Sequence, residues 1–152
     1  MRYAVPSMVL ALLLIGGCTS TKLPSDTEYQ TVRDVEGASA DQIYERSLSW
    51  MAETFVSANE AVQVRDDENN RLVTNASIRI PGYAGFSEMS IIVEARDERF
   101  RFTARNFRAR TRAMSMRVPM NTDLYEDLKP ELKSQADDLQ SYIRGEAEDT
   151  DW

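Results

Sequence analysis

RLVTNASIRIPGYAGFSEMSIIVEARDERFRFTARN, residues Arg71–Asn106, is the stretch whose reading decides the fold. Its apolar residues recur with a period of two, the spacing at which side chains share one face of a strand. In Arg71–Ile80, Leu72, Thr74, Ala76, Ile78 and Ile80 share one side, and Val73, Asn75, Ser77 and Arg79 the other. Glu88–Arg96 repeats the pattern with Met89, Ile91, Val93 and Ala95. Arg99–Asn106 then sets Phe100, Phe102 and Ala104 against Arg99, Arg101 and Arg105. The loop Pro81–Phe86 (PGYAGF) and the turn Asp97-Glu98 are too short for a crossover, so the three strands pair antiparallel. Apolar on one side and polar on the other describes a sheet packed against the core by one face only.

Working outward, the next strand candidates are Tyr29–Val35 and Ala61–Arg65, the latter closed by the turn Asp66–Asn70 (DDENN). That turn lacks the glycine and the bidentate glutamate of a calcium loop. Between them Ser39-Ala40-Asp41-Gln42 has the form of a capping box. The helix it opens carries Tyr44, Leu48, Met51 and Phe55 at steps of four, three and four, widened by Ile43, Trp50 and Ala52, and Asn59 marks its expected end. This aromatic stripe suits packing on a sheet. A second helix is expected over Pro130–Arg144 after a short lead-in turn, with Leu124, Leu128, Leu132, Ala136, Leu139 and Ile143 as its stripe and Pro130 in its first turn. Phe107–Met120 fits no single pattern: the apolar parity shifts between Ala113 and Met114, which implies a bulge, a bend or a loop there. The fold class is therefore α+β, in the order β-α-β4-α: a curved antiparallel sheet with both helices on one face.

The N-terminus carries different information. Met1–Gly17 has a short basic start, an apolar run at Met8–Ile15, and small residues before Cys18, the order of a signal peptide. The run is far short of the roughly 20 residues of a membrane span. Ile15-Gly16-Gly17-Cys18 resembles a bacterial lipobox, which implies a cut between Gly17 and Cys18 and acylation of Cys18. Several acyl chains hold firmly where one holds weakly, each buried CH₂ contributing about 0.8 kcal/mol. Thr19 stands where an aspartate would imply retention at the inner membrane, so the implied address is the outer membrane, periplasmic side. The expected organisation is signal peptide 1–17, lipidated tether 18–27, domain 28–144 and acidic tail 145–152. Cys18 is the only cysteine, so no disulfide is expected.

The run Val35–Arg71, VEGASADQIYERSLSWMAETFVSANEAVQVRDDENNR, together with Ile91–Asn106, is similar to a bacterial lipoprotein domain family of unknown function with a TATA-binding-protein-like fold. The resemblance spans residues 28–108, while Phe107–Met120 departs from the family pattern. It implies the β-α-β4-α order reached above and supplies no catalytic residues. A shared fold does not bring nucleic-acid binding with it.

Removing the signal leaves 17 basic residues against 25 acids, a poor balance for nucleic acid. Histidine is absent, which removes the usual neutral-pH base and the commonest metal ligand. There is no Gly-x-Ser-x-Gly elbow and no phosphate-cradling glycine loop. Met114, Met116 and Met120 fit a core edge better than a soft-metal site. No catalytic residue, metal ligand or cofactor is assigned. What stands out is basic: Arg96, Arg99, Arg101, Arg105, Arg108, Arg110, Arg112 and Arg117 fall within 22 residues that hold no lysine. Arginine's planar fork suits carboxylate or phosphate. Arg99, Arg101, Arg105, Arg108, Arg110 and Arg112 form the candidate face for an anionic envelope component or partner protein. The competing reading is a solvated face whose arginines pair with Glu88, Glu94 and other acids. The functional expectation is a lipid-anchored, non-enzymatic binding or structural accessory of the cell envelope. The other reading is a periplasmic hydrolase or carbohydrate-active enzyme using carboxylates.

Overall fold

The computed structural model describes residues 21–55, 62–111 and 117–146. The signal peptide, Gly17, Cys18, Asn59, Arg112, the parity shift at Ala113/Met114 and the tail beyond Glu146 lie outside them. The elements are β1 (Glu28–Asp34), α1 (Ala40–Thr54), β2 (Val62–Asp66), β3 (Arg71–Arg79), β4 (Gly85–Arg96), β5 (Arg99–Thr111), β6 (Arg117–Pro119) and α2 (Thr122–Arg144). All pairings are antiparallel, in the order β1-β5-β4-β3-β2. β1 pairs Arg99–Arg105 of β5 and β6 pairs Arg108–Arg110, so these two lie end to end along one edge of it. Five strands follow α1, one more than the periodicity gives, because three residues are too few to display one.

The alternation holds for the inward set, while Ile92 and Thr103 on the opposite face are buried as well. Leu72, Thr74, Ala76, Ile78, Ile80, Met89, Ile91, Val93, Ala95, Phe100, Phe102 and Ala104 are buried beneath the helices. Each large apolar side chain removed from water contributes about 1.5–3 kcal/mol. α1 begins at a complete capping box: Gln42 N–H donates to Ser39 Oγ (3.3 Å), and Ser39 N–H to Gln42 Oε1 (3.0 Å). The Asp97 carboxylate on the β4–β5 turn accepts from Ala40 N–H (2.9 Å), tying the hairpin tip to the helix N-terminus, where a negative charge is favourable. α1 ends at Thr54, with Phe55 as its cap. It buries Ile43, Tyr44, Ser47, Trp50 and Met51, while Ala52 is exposed.

α2 corrects the expected lead-in turn. Asn121 caps it by accepting from Leu124 N–H (2.8 Å), and one helix runs through the exposed Pro130 to Arg144. The cap and the stripe Tyr125, Leu128, Leu132, Ala136, Leu139 and Ile143 outweigh the hydrogen bond that Pro130 cannot donate. Gly145 ends it at φ 74°, a left-handed position that glycine adopts without strain. Polar ties join the layers: Trp50 Nε1–H donates to Asp138 Oδ2 (2.7 Å), and Arg33 on β1 pairs with Asp137 (2.8 Å).

Part of the expected tether 18–27 falls within the described residues. Leu23 N–H donates to the Met120 carbonyl (3.0 Å) and Thr122 N–H to that of Thr21 (3.0 Å), so the chain is bound to the domain from Thr21 onward. A backbone with unpaired polar groups beside an open strand end gains by pairing there.

Candidate functional site

Among the described residues no layer covers the face of the sheet opposite the helices, and on it β5 lies between β4 and the edge formed by β1 and β6. Its pairing with β4 slips once: Glu88 faces Arg108 and Ser90 faces Arg105, so two residues of β5, Asn106 and Phe107, oppose the single Met89 of β4. The extra residue is Asn106, at φ 61°. Asparagine tolerates this left-handed conformation better than most residues. Before the bulge the inward residues are Phe100, Phe102 and Ala104; after it Ala109 is buried and Phe107 packs against Tyr125, centroids 5.1 Å apart and planes tilted by 60°. A parity flip thus lies at Arg105–Phe107, additional to the one expected at Ala113/Met114, which falls outside the described residues.

The same slip keeps the arginines together. Arg99, Arg101 and Arg105 precede it and Arg108 and Arg110 follow it, and all five stand on the open face. Arg101 pairs with Glu94 (3.2 Å) and Arg110 with Glu88 (3.4 Å). Arg99, Arg105 and Arg108 are exposed and make no ion pair among the described residues. The paired reading therefore fits two of these arginines and the open reading three. Arg117 in β6 faces Arg110 in register.

Beside the bulge the face deepens into a groove of about 1060 Å³. Lys22, Asn75, Ser77, Ser90, Asn106 and Arg108 line it, with Leu23 and Met120 at one wall. A polar chain crosses three strands along its floor: Asn106 Nδ2 donates to Ser90 Oγ (3.4 Å), and Ser90 to Asn75 Oδ1 (3.4 Å). Glu88 also lines the groove, with Arg110 beside it to offset its charge. Lys22 and the polar floor were not legible beforehand, because residues distant in sequence meet there only through the register. The one available signal was the change of arginine parity between Arg105 and Arg108.

Displaced protonation equilibria lie on the helix side. Burial, reinforced by a hydrogen bond to Asp67, pushes the Tyr44 hydroxyl up to about 12. Burial also raises Tyr125, and a hydrogen bond to Glu53 raises Tyr142. Hydrogen bonds from Lys133 and Arg33 hold Asp137 below the usual carboxylate range. These groups hold elements together and do not converge on a cavity. Among the described residues no three acidic, histidine or cysteine side chains are placed to hold a metal ion.

Residues 29–110 match the domain of unknown function DUF4468, with TBP-like fold. The chain belongs to the DUF4468 family. A crystal structure of a DUF4468 family protein from Bacteroides ovatus superposes with a TM-score of 0.58 at 12% identity, covering 88% of this chain and 94% of that one. A TBP-like protein from Parabacteroides distasonis gives 0.61 at 8% identity, covering 77% and 92%. At such identities the likeness establishes the fold alone. No curated protein matches. This DUF4468 domain thus has the TBP-like curved antiparallel sheet, six strands with two helices over one face.

Proposed function

We propose that this DUF4468 protein is a lipid-anchored component of the bacterial envelope, on the periplasmic side of the outer membrane, and that it acts by binding through its open sheet face. The observation that carries this is a segregation of charge. β5 holds five arginines and no acid, whereas the two helices hold nine acids against four basic residues. On the open face these five arginines stand against four acids opposite them in register, Glu28, Asp34, Glu88 and Glu94, a small basic excess beside the acid-rich helix face. That difference orients a net acidic protein toward an anionic partner. Arg99, Arg105 and Arg108 supply the open cations, and Val32 and Val64 supply apolar contact, being 54% and 45% exposed. The anchor rests on Ile15-Gly16-Gly17-Cys18. Among the described residues no helix is long and apolar enough to cross a membrane.

The test places a photo-crosslinking residue at Gln30 or Ser77 on the sheet face, or at Asp127 on the helix face, in intact cells. An envelope component captured from the first two and not from the third supports the reading. Capture from neither face, or equally from both, refutes it. Acyl mass on the purified protein, lost in Cys18→Ala, tests the anchor separately.

A further inference from the structure

We infer that the groove at the β5 bulge is a juxtamembrane site for the phosphate headgroup of an anionic lipid in the leaflet that holds the Cys18 anchor. This deepens the reading above and rests on it. The first argument is reach. The chain joins the domain at Thr21–Leu23, only three residues after Cys18, and three extended residues span about 11 Å at most. Lys22, the residue after that junction begins, lines the groove itself. An acylated Cys18 therefore brings the groove within a headgroup's distance of the lipid surface.

The second argument is charge. Lys22 and Arg108 stand on the groove, whose one acid, Glu88, is paired with Arg110. Arg105 follows on the same face opposite Glu28, and the acid-rich helices lie on the far side of the sheet. An anionic leaflet attracts the first set and repels the second, which turns the groove toward the membrane. Arginine's fork matches phosphate oxygens in pairs. The third is the polar floor. The Asn106–Ser90–Asn75 chain leaves the Asn75 amide donors without a partner among the described residues, available to the ester and hydroxyl oxygens of a headgroup.

The test uses the exported chain, residues 18–152 with Cys18→Ser to prevent acylation, in co-sedimentation with phosphatidylcholine vesicles with or without 30% phosphatidylglycerol. Binding is expected only to the anionic vesicles and should weaken as salt rises. Lys22→Gln and Arg108→Gln should each weaken it about five-fold, the effect of one basic residue near an anionic surface. Lys129→Gln on the helix face should leave it unchanged. Equal weakening by Lys129→Gln or by Arg99→Gln would overturn the groove, leaving a diffuse field. Full competition by free glycerol phosphate would show a soluble-phosphate site and overturn the membrane source. No binding to anionic vesicles would overturn the inference, while a protein captured by sheet-face crosslinking would leave the wider reading standing.

Discussion

Asn106 is one residue on which both the core and the arginine face depend. Its left-handed backbone costs an ordinary L-residue about 1–2 kcal/mol. Asn106→Ala should therefore lose about 1 kcal/mol, with a few tenths more from the long bond to Ser90. Asn106→Gly loses the bond but relieves the conformation, and should stay within about 0.5 kcal/mol of the parent. Deleting Asn106 acts on another scale. Without the bulge, Phe107 and Ala109 would turn outward, and Arg108 and Arg110 inward beneath the helices. Exposing the phenyl ring costs about 2 kcal/mol and burying each guanidinium several more. That rivals the whole stability of a domain, about 5–15 kcal/mol, so the second half of β5 should detach together with β6. Urea unfolding followed by Trp50 fluorescence, in a Trp152→Phe background, reads these changes, since Trp50 is buried and bonded to Asp138. With a slope of about 2 kcal/mol per M, Asn106→Ala should lower the midpoint by about 0.5 M and the deletion by more than 1.5 M. Equal midpoints for the Ala and Gly variants, or a parent-like deletion variant, would refute the assignment of the bulge.

Replacing the exposed Pro130 by alanine should stabilise the domain by about 1–2 kcal/mol, after relaxation of the roughly 3 kcal/mol difference in helix preference, and so raise the urea midpoint. A lower midpoint would mean that α2 needs the bend at Pro130 to lie on the sheet. Tyr44 has its folded-state value raised to about 12 from 10, so its contribution is intact below pH 10 and lost as pH rises toward 12. Tyr44→Phe should flatten the stability profile over that window, and an unchanged alkaline slope would exclude Tyr44 as its source. Ser39→Ala removes one side of the capping box and should cost about 1 kcal/mol by thermal or urea unfolding. No loss would mean that the Asp97 contact to Ala40 caps α1 by itself.

What the sequence by itself determined is whatever repeats with a local period. The faces of β3, β4 and the first half of β5, the capped start of α1 and the apolar stripe of α2 follow from spacings of two or of three and four, which a single element's geometry imposes. Tertiary structure decided what depends on neighbours. Asn106 reads as an ordinary polar residue until β4 sets the register that leaves it unpaired. Pro130 looks like a helix start until Asn121 caps a longer helix that the core stripe holds in place. Thr21–Leu23 read as free linker until the stretch after β6 offered them carbonyl and amide partners. The groove belongs to this second kind. Lys22, Asn75, Ser90 and Arg108 meet only because antiparallel register and one bulge bring four distant stretches of chain to a single place on the open face.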